Sequence, residues 1–154
     1  MSNTATKSLF GSRSYFKTHQ GLFVGKSFTE HLLLKIDKIP YRGLEGVTSH
    51  VLVRNMYDKE IINEFLGGME EARKYAFTLD QIATMIDLQP NGEDGYLLDN
   101  RNANLFYLLA KEELFGIDVF WTPCHDWHVR AWPLGSQGKM CADSRVFRNI
   151  TLTI

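Results

Sequence analysis

The order of periodicities along the 154 residues predicts an α+β fold, an antiparallel sheet with two or so helices packed on one face of a single domain. Three observations carry that prediction. A capping box at Thr78 opens an amphipathic run, the apolar period then changes to two, and aromatic-rich segments follow one another across short polar connections as in a meander. The chain divides into a strand-rich N-terminal segment (1–46), a helical segment (57–89) and a series of antiparallel strands (97–154).

Ser14-Tyr15-Phe16-Lys17 and Leu22-Phe23-Val24 read as two short strands around a turn at Gly21. In residues 29–39, Leu32, Leu34 and Ile36 alternate, which favours a strand over a short helix capped by Thr29, and Pro40 ends either one. Residues 47–56 fit strand and helix equally. Over residues 57–66, Ile61, Ile62, Phe65 and Leu66 share one helical face; Asp58 suits the N-cap, and Gly67-Gly68 stops the helix. In Thr78-Leu79-Asp80-Gln81 the hydroxyl and the amide satisfy each other's free backbone N–H groups, and Leu79, Ile82, Met85 and Ile86 follow at helical spacing, giving a helix over 78–89. A loop rich in turn residues spans 90–95. Strands are expected at 104–110, 116–121 and 127–132, with Gly116 permitting the turn into the second, and a final strand lies within 144–154.

The composition excludes whole classes of function. With 44% hydrophobic and 23% charged residues the chain is not a disordered one. Seventeen basic residues against eighteen acidic ones leave a net charge of −1, so nothing drives non-specific nucleic-acid binding. The polar start MSNTATKSLF is not a secretory signal, and no apolar run approaches the roughly 20 residues of a membrane span. With only Cys124 and Cys141 the expected location is cytoplasmic, and Asn149-Ile150-Thr151 is a chance glycosylation match.

Residues 63–149 carry a series of short motifs: Phe65-Leu66-Gly67-Gly68, the Thr78 helix, Leu97-Leu98 through Phe106-Tyr107, Trp127-x-Val129-x-Ala131 and Arg145-Val146-Phe147. In this layout the chain resembles a group of small uncharacterised bacterial proteins. The resemblance implies a common fold and assigns no catalytic residue.

The densest group of reactive side chains is Cys124-His125-Asp126-Trp127-His128, with Cys141 further on. Cysteine and histidine are zinc ligands, but adjacent Cys124 and His125 do not form a knuckle, and no C-x2-C or H-x3-H spacing occurs; no metal is expected. A cysteine nucleophile would need a base placed by more than adjacency, no G-x-S-x-G elbow or phosphate loop is present, and no catalytic residue or cofactor is assigned. Glu112, Glu113 and Asp118 loosely suggest a metal-dependent nuclease; Lys111-Glu112-Glu113 reads instead as a charged hairpin turn.

The aromatics are the remaining signal. Alternation puts Trp127, Val129 and Ala131 on the core face and His128, Arg130 and Trp132 on the other, the residue types of binding hot spots. The sequence thus reads as a small non-enzymatic binding or interaction module acting through an aromatic sheet face. Its candidate binding residues are Trp132, Arg130, His128, His125 and Asp126, and its partner is another protein or a second copy of the chain, not a nucleic acid or a membrane. The alternative is a small-molecule- or nucleotide-binding domain, or a hydrolase, centred on the loop from Cys124 to His128.

Overall fold

The computed structural model describes residues 15–33 and 43–150. Six strands, β1 (Leu22–Val24), β2 (Val47–Val51), β3 (Asn104–Ala110), β4 (Glu113–Trp121), β5 (Trp127–Pro133) and β6 (Arg145–Asn149), form one sheet in the order β1-β5-β4-β3-β6-β2. Three α-helices, α1 (Asp58–Phe65), α2 (Met69–Lys74) and α3 (Leu79–Leu88), and a π-helical segment, Phe28–Leu33, complete the α+β architecture. No helix among the described residues is long and apolar enough to cross a membrane.

The expected meander is present: β3 pairs antiparallel with β4, and β4 with β5. Lys111 and Glu112, with φ of 49° and 67°, make the two-residue turn between β3 and β4, the positive pair of φ values that matches the twist of a hairpin. The sheet is nevertheless mixed, not antiparallel, because β1 runs parallel to β5 and β6 parallel to β3. The segment after β5 crosses the sheet, pairing Met140 with Met56 and Asp143 with Leu52, before β6 starts beside β3. Periodicity reports which residues face the core; it does not report the direction of strands that are not neighbours in sequence.

The helices also lie on both faces. On the first face, Leu79, Ile82, Met85 and Ile86 of α3 pack with Phe106, Ile117, Val119, Trp127 and Val129. On the second, Ile61 and Ile62 of α1, Leu66 at its C-cap and Ala72 of α2 pack with Leu105, Tyr107, Trp132 and Val146. A single covered face would leave alternate residues of β3 in water, whereas Leu105, Phe106, Tyr107 and Leu108 are all buried.

The N-terminal segment departs from the strand-rich expectation. Among its described residues only Leu22–Val24 is a strand; His19 bridges Leu22 across the turn at Gly21, Tyr15-Phe16-Lys17 is not a strand, and Ser14 lies outside the described residues. Phe28, Leu32 and Leu33 reach the first-face core from the π-helical segment, which replaces the strand expected from residue 29; the remainder of that strand, 34–39, lies outside the described residues.

The Thr78 cap forms as expected: Gln81 N–H donates to Thr78 Oγ1 at 3.2 Å, and Thr78 N–H to Gln81 Oε1 at 3.1 Å. Gln81 Nε2 also donates to Asn149 Oδ1 at 2.9 Å, tying α3 to β6 and burying the asparagine of the sequon. Asp58 is not the N-cap of α1. Tyr57 is, with its N–H donating to Glu60 Oε1, and Asp58 turns its carboxylate into the protein. That carboxylate accepts from Tyr107 Oη (2.6 Å), Trp132 Nε1 (3.0 Å) and Gly135 N (3.2 Å).

Trp132 is therefore buried, 4% exposed, where an exposed hot-spot residue was expected. The strand alternation is right, but α1 covers its side of the sheet. Gly116 is not a turn residue either. It sits mid-strand opposite Trp132, and a Cβ there would come within 2.5 Å of the indole.

Gly116→Ala should cost about 1–3 kcal/mol by overpacking. The atoms it would strike are Cε2, Nε1 and Cζ2 of the indole, which a leucine side chain does not reach. Chemical denaturation of the double-mutant cycle with Trp132→Leu should therefore show the two costs falling short of additive; full additivity would mean that the indole does not occupy that space.

Candidate functional site

The apolar cluster beneath α1 ends at Trp132. Further along the same face the strands present polar and aromatic side chains. Phe23 of β1 lies beside His128 of β5, its register partner, with ring centroids 4.7 Å apart. His128 lies 5.3 Å from Phe120 of β4, and the Arg130 guanidinium sits over the Phe120 ring at 4.8 Å. Phe23 is 45% exposed, so this part of the sheet is accessible.

Asp118 lies beneath Arg130, as its cross-strand partner in register. The pair is bidentate: Arg130 Nη2 donates to Asp118 Oδ2 at 2.6 Å and Nε to Oδ1 at 3.3 Å. The carboxylate is buried, whereas the Arg130 side chain is 57% exposed. Burial pushes the Asp118 carboxyl above the usual carboxylate range, and the Arg130 hydrogen bonds and charge only partly pull it back.

Beside this pair opens a cleft of about 430 Å³. Its sheet side is formed by Asp118, Phe120, Arg130 and the edge of Trp132. Its other walls come from Ser27, from Arg101 to Ala103, and from the segment of Gln137 to Cys141 with Ser144. Backbone bonds Met56 N to Met140 O (2.9 Å) and Leu52 N to Ser144 O (2.8 Å), with Ala142 N to Asn55 Oδ1 (2.8 Å), fix that last wall. The volume falls within the roughly 300–1,000 Å³ of small-molecule pockets.

Of the residues singled out in the sequence, Arg130 lines the cleft and Trp132 contributes only a buried edge. Neither His128 nor Asp126 lines it: His128 lies against Phe120 at 5.3 Å, and its Nε2 is 3.3 Å from Asp126 Oδ1. His125 is elsewhere: exposed at the β4–β5 turn with φ 62°, it leans toward Trp121, whose side chain packs against the first-face core. Asp118, which the sequence groups with Glu112 and Glu113, instead lines the cleft, and Phe120, Phe23, Arg101 and the 137–141 wall carry no motif. Only the alternation of β4 against β5 could have placed Asp118 and Phe120 beside Arg130.

The turn from Cys124 to His128 is occupied with itself. Thr122 Oγ1 donates to Asp126 Oδ1 and accepts from Cys124 N–H, and His125 N–H donates to Thr122 O. Asp126 thus stands between the hydroxyl and the imidazole. Nucleophile activation needs the reverse order, with the base between hydroxyl and carboxylate. Among the described residues no three of His, Cys, Asp and Glu gather where they could hold a metal ion. Glu112 and Glu113 lie at the β3–β4 turn end of β4, and Asp118 is five residues beyond Glu113, roughly 17 Å away at strand rise. Compared with family models, curated proteins and solved structures, the chain matches none.

The pair predicts an asymmetry. A carboxyl whose value is raised on folding contributes stability below the ordinary carboxylate range and loses it as pH rises through the raised value. Asp118→Asn should therefore melt no lower than the parent at about pH 7, and its advantage should shrink toward about pH 4. Arg130→Gln should cost about 2 kcal/mol at neutral pH, less than a fully buried pair because Arg130 is half in water, and less in acid. Thermal melts across that range check both signs; an Asp118→Asn protein that melts well below the parent at neutral pH would overturn this account.

Proposed function

We propose that the chain is a small-molecule-binding module whose ligand sits in the cleft between β4, β5 and the 137–141 segment. The observation that carries this reading is the Arg130 guanidinium, held over the Phe120 ring by a buried carboxylate while its outer edge faces a concave space of ligand size. Clefts with apolar walls and a few oriented polar groups are the usual form of such sites. With Trp132 buried, the aromatic face on which a protein partner is expected to dock lacks its largest ring, which favours the smaller ligand. The site lies beside the turn from Cys124 to His128, not within it.

The test is a screen of single-ring aromatic fragments against the isotope-labelled protein, read by amide chemical shifts. Binding fragments should move the amides of Asp118, Phe120, Arg130 and residues 137–141 together. Phe120→Ala should weaken them by about tenfold, the share of one aromatic contact of 1–1.5 kcal/mol, while the protein stays folded. Shifts gathered on another surface, or none at all, would sink the reading.

A further inference from the structure

The charges around the cleft are not those of the whole chain. The chain carries −1, yet the cleft is lined by Arg101, Arg130 and Lys139 against Asp118 alone, a local balance of +2. Asp118 is already committed to Arg130 through both oxygens. A cationic ligand would therefore find no uncommitted carboxylate among the lining residues.

The cations, by contrast, have capacity left. Arg130 uses two of the five N–H donors of a guanidinium on Asp118, and more than half of its side chain is in water. Arg101, at φ 75°, has no hydrogen bond or ion pair from its side chain among the described residues. Lys139 has no carboxylate partner there; its Nζ lies 5.3 Å from the centre of the Tyr57 ring. Ser27, Ser144 and Asn102 add neutral donors to the same walls. Phe120, Met140 and the edge of Trp132 supply apolar surface between the cations.

We infer that the cleft takes a small organic anion, a carboxylate or a phosphate carried on a flat apolar body. The inference rests on the cleft being the binding site. The ring lies against Phe120 and Met140, and the anionic group meets Arg101, Lys139 and the free edge of Arg130. Guanidinium and ammonium donors both suit such an oxyanion, the first bidentate and the second as a point charge. Because the cations are partly exposed, the affinity falls as salt is added.

Four probes of one shape test this: benzoate, phenyl phosphate, benzamide and benzamidine, titrated at low salt while the cleft amides are followed. Benzoate or phenyl phosphate should bind at least about tenfold more tightly than benzamide, as charge-assisted bonds do over neutral ones. The better of the two identifies the oxyanion. In a protein carrying Arg101→Gln and Lys139→Gln, that preference should fall to within about threefold, and the melting temperature should hold because both side chains are at the surface. Benzamide binding as well as the anions, or benzamidine binding best, would overturn the inference and leave the binding site standing. If no probe moves the cleft amides, the site itself is wrong and the inference falls with it.

Discussion

The Asp58 carboxylate determines where α1 can sit. It is buried, 4% exposed, and its two oxygens accept three hydrogen bonds from three parts of the chain: Tyr107 in β3, Trp132 in β5 and the backbone of Gly135 beyond it. Its position at the first residue of α1 adds the favourable field of a helix N-terminus. An ionised group can stay in the interior only when such partners replace its water, and losing any one would leave a buried donor or acceptor unmet at about 1–3 kcal/mol. The carboxylate therefore specifies a position as well as supplying energy. Burial pushes the Tyr107 hydroxyl well above its ordinary range, with the Asp58 charge and hydrogen bond adding to the effect, so the tyrosine stays a donor.

Much of the second face follows from that anchor. With the start of α1 fixed against Trp132, the indole must lie flat over the neighbouring strand, and Gly116 leaves it room. Ile61, Ile62 and Leu66 then cover Leu105, Tyr107 and Val146. The chain leaving β5 is held at Gly135 and is zipped to residues 52–56 before entering β6. It passes over the sheet as a wall and leaves β4 and β5 open beyond Trp132. The cleft is thus bounded by the same contacts that secure α1. The first face is closed differently: Gln89 bonds the backbone at Glu93 and Leu97 through its side chain, and its carbonyl accepts from Trp127 Nε1 at 2.6 Å, so the loop after α3 lies against the core.

What the sequence discloses of this arrangement is whatever depends on local periodicity. The Thr78 helix and the three meander strands stand where hydroxyl capping and alternation place them, because those signals act within one element. The second helical layer is less visible. Its trace is the run Leu105 to Leu108, apolar on both faces, which a period-two reading passes over. Parallel pairing of β1 with β5 and β6 with β3 leaves no local mark at all. At the site, Arg130 and His128 are accessible by alternation alone, whereas Trp132, by the same alternation, takes its burial from a helix some seventy residues earlier. Asp118 reads beside Glu112 and Glu113 in sequence, and only register sets it under Arg130. The turn from Cys124 to His128 attracts attention through its residue types, yet its bonds run inward among Thr122, Cys124 and Asp126.

The proposed site gives the Arg130–Asp118 pair a role that stability alone does not. Desolvation is the largest influence on the Asp118 carboxyl and outweighs the attraction of Arg130, so the carboxylate is held at a cost. Apolar residues of similar size would close that surface at least as stably. What the pair provides is orientation. Two bonds to a buried carboxylate and a ring face beneath leave the guanidinium little freedom, although its side chain is half in water. A free surface arginine loses rotamer entropy when it grips a ligand, about 0.5–1.5 kcal/mol for a side chain of this kind. Here the protein fold bears that loss in advance. The carboxylate also screens part of the guanidinium charge, so the anchor is moderate in strength and definite in direction. In the proposed site such an anchor would suit a ligand selected by shape and then released, and Arg101 and Lys139, which line the same cleft, would supply a longer-range attraction that salt weakens.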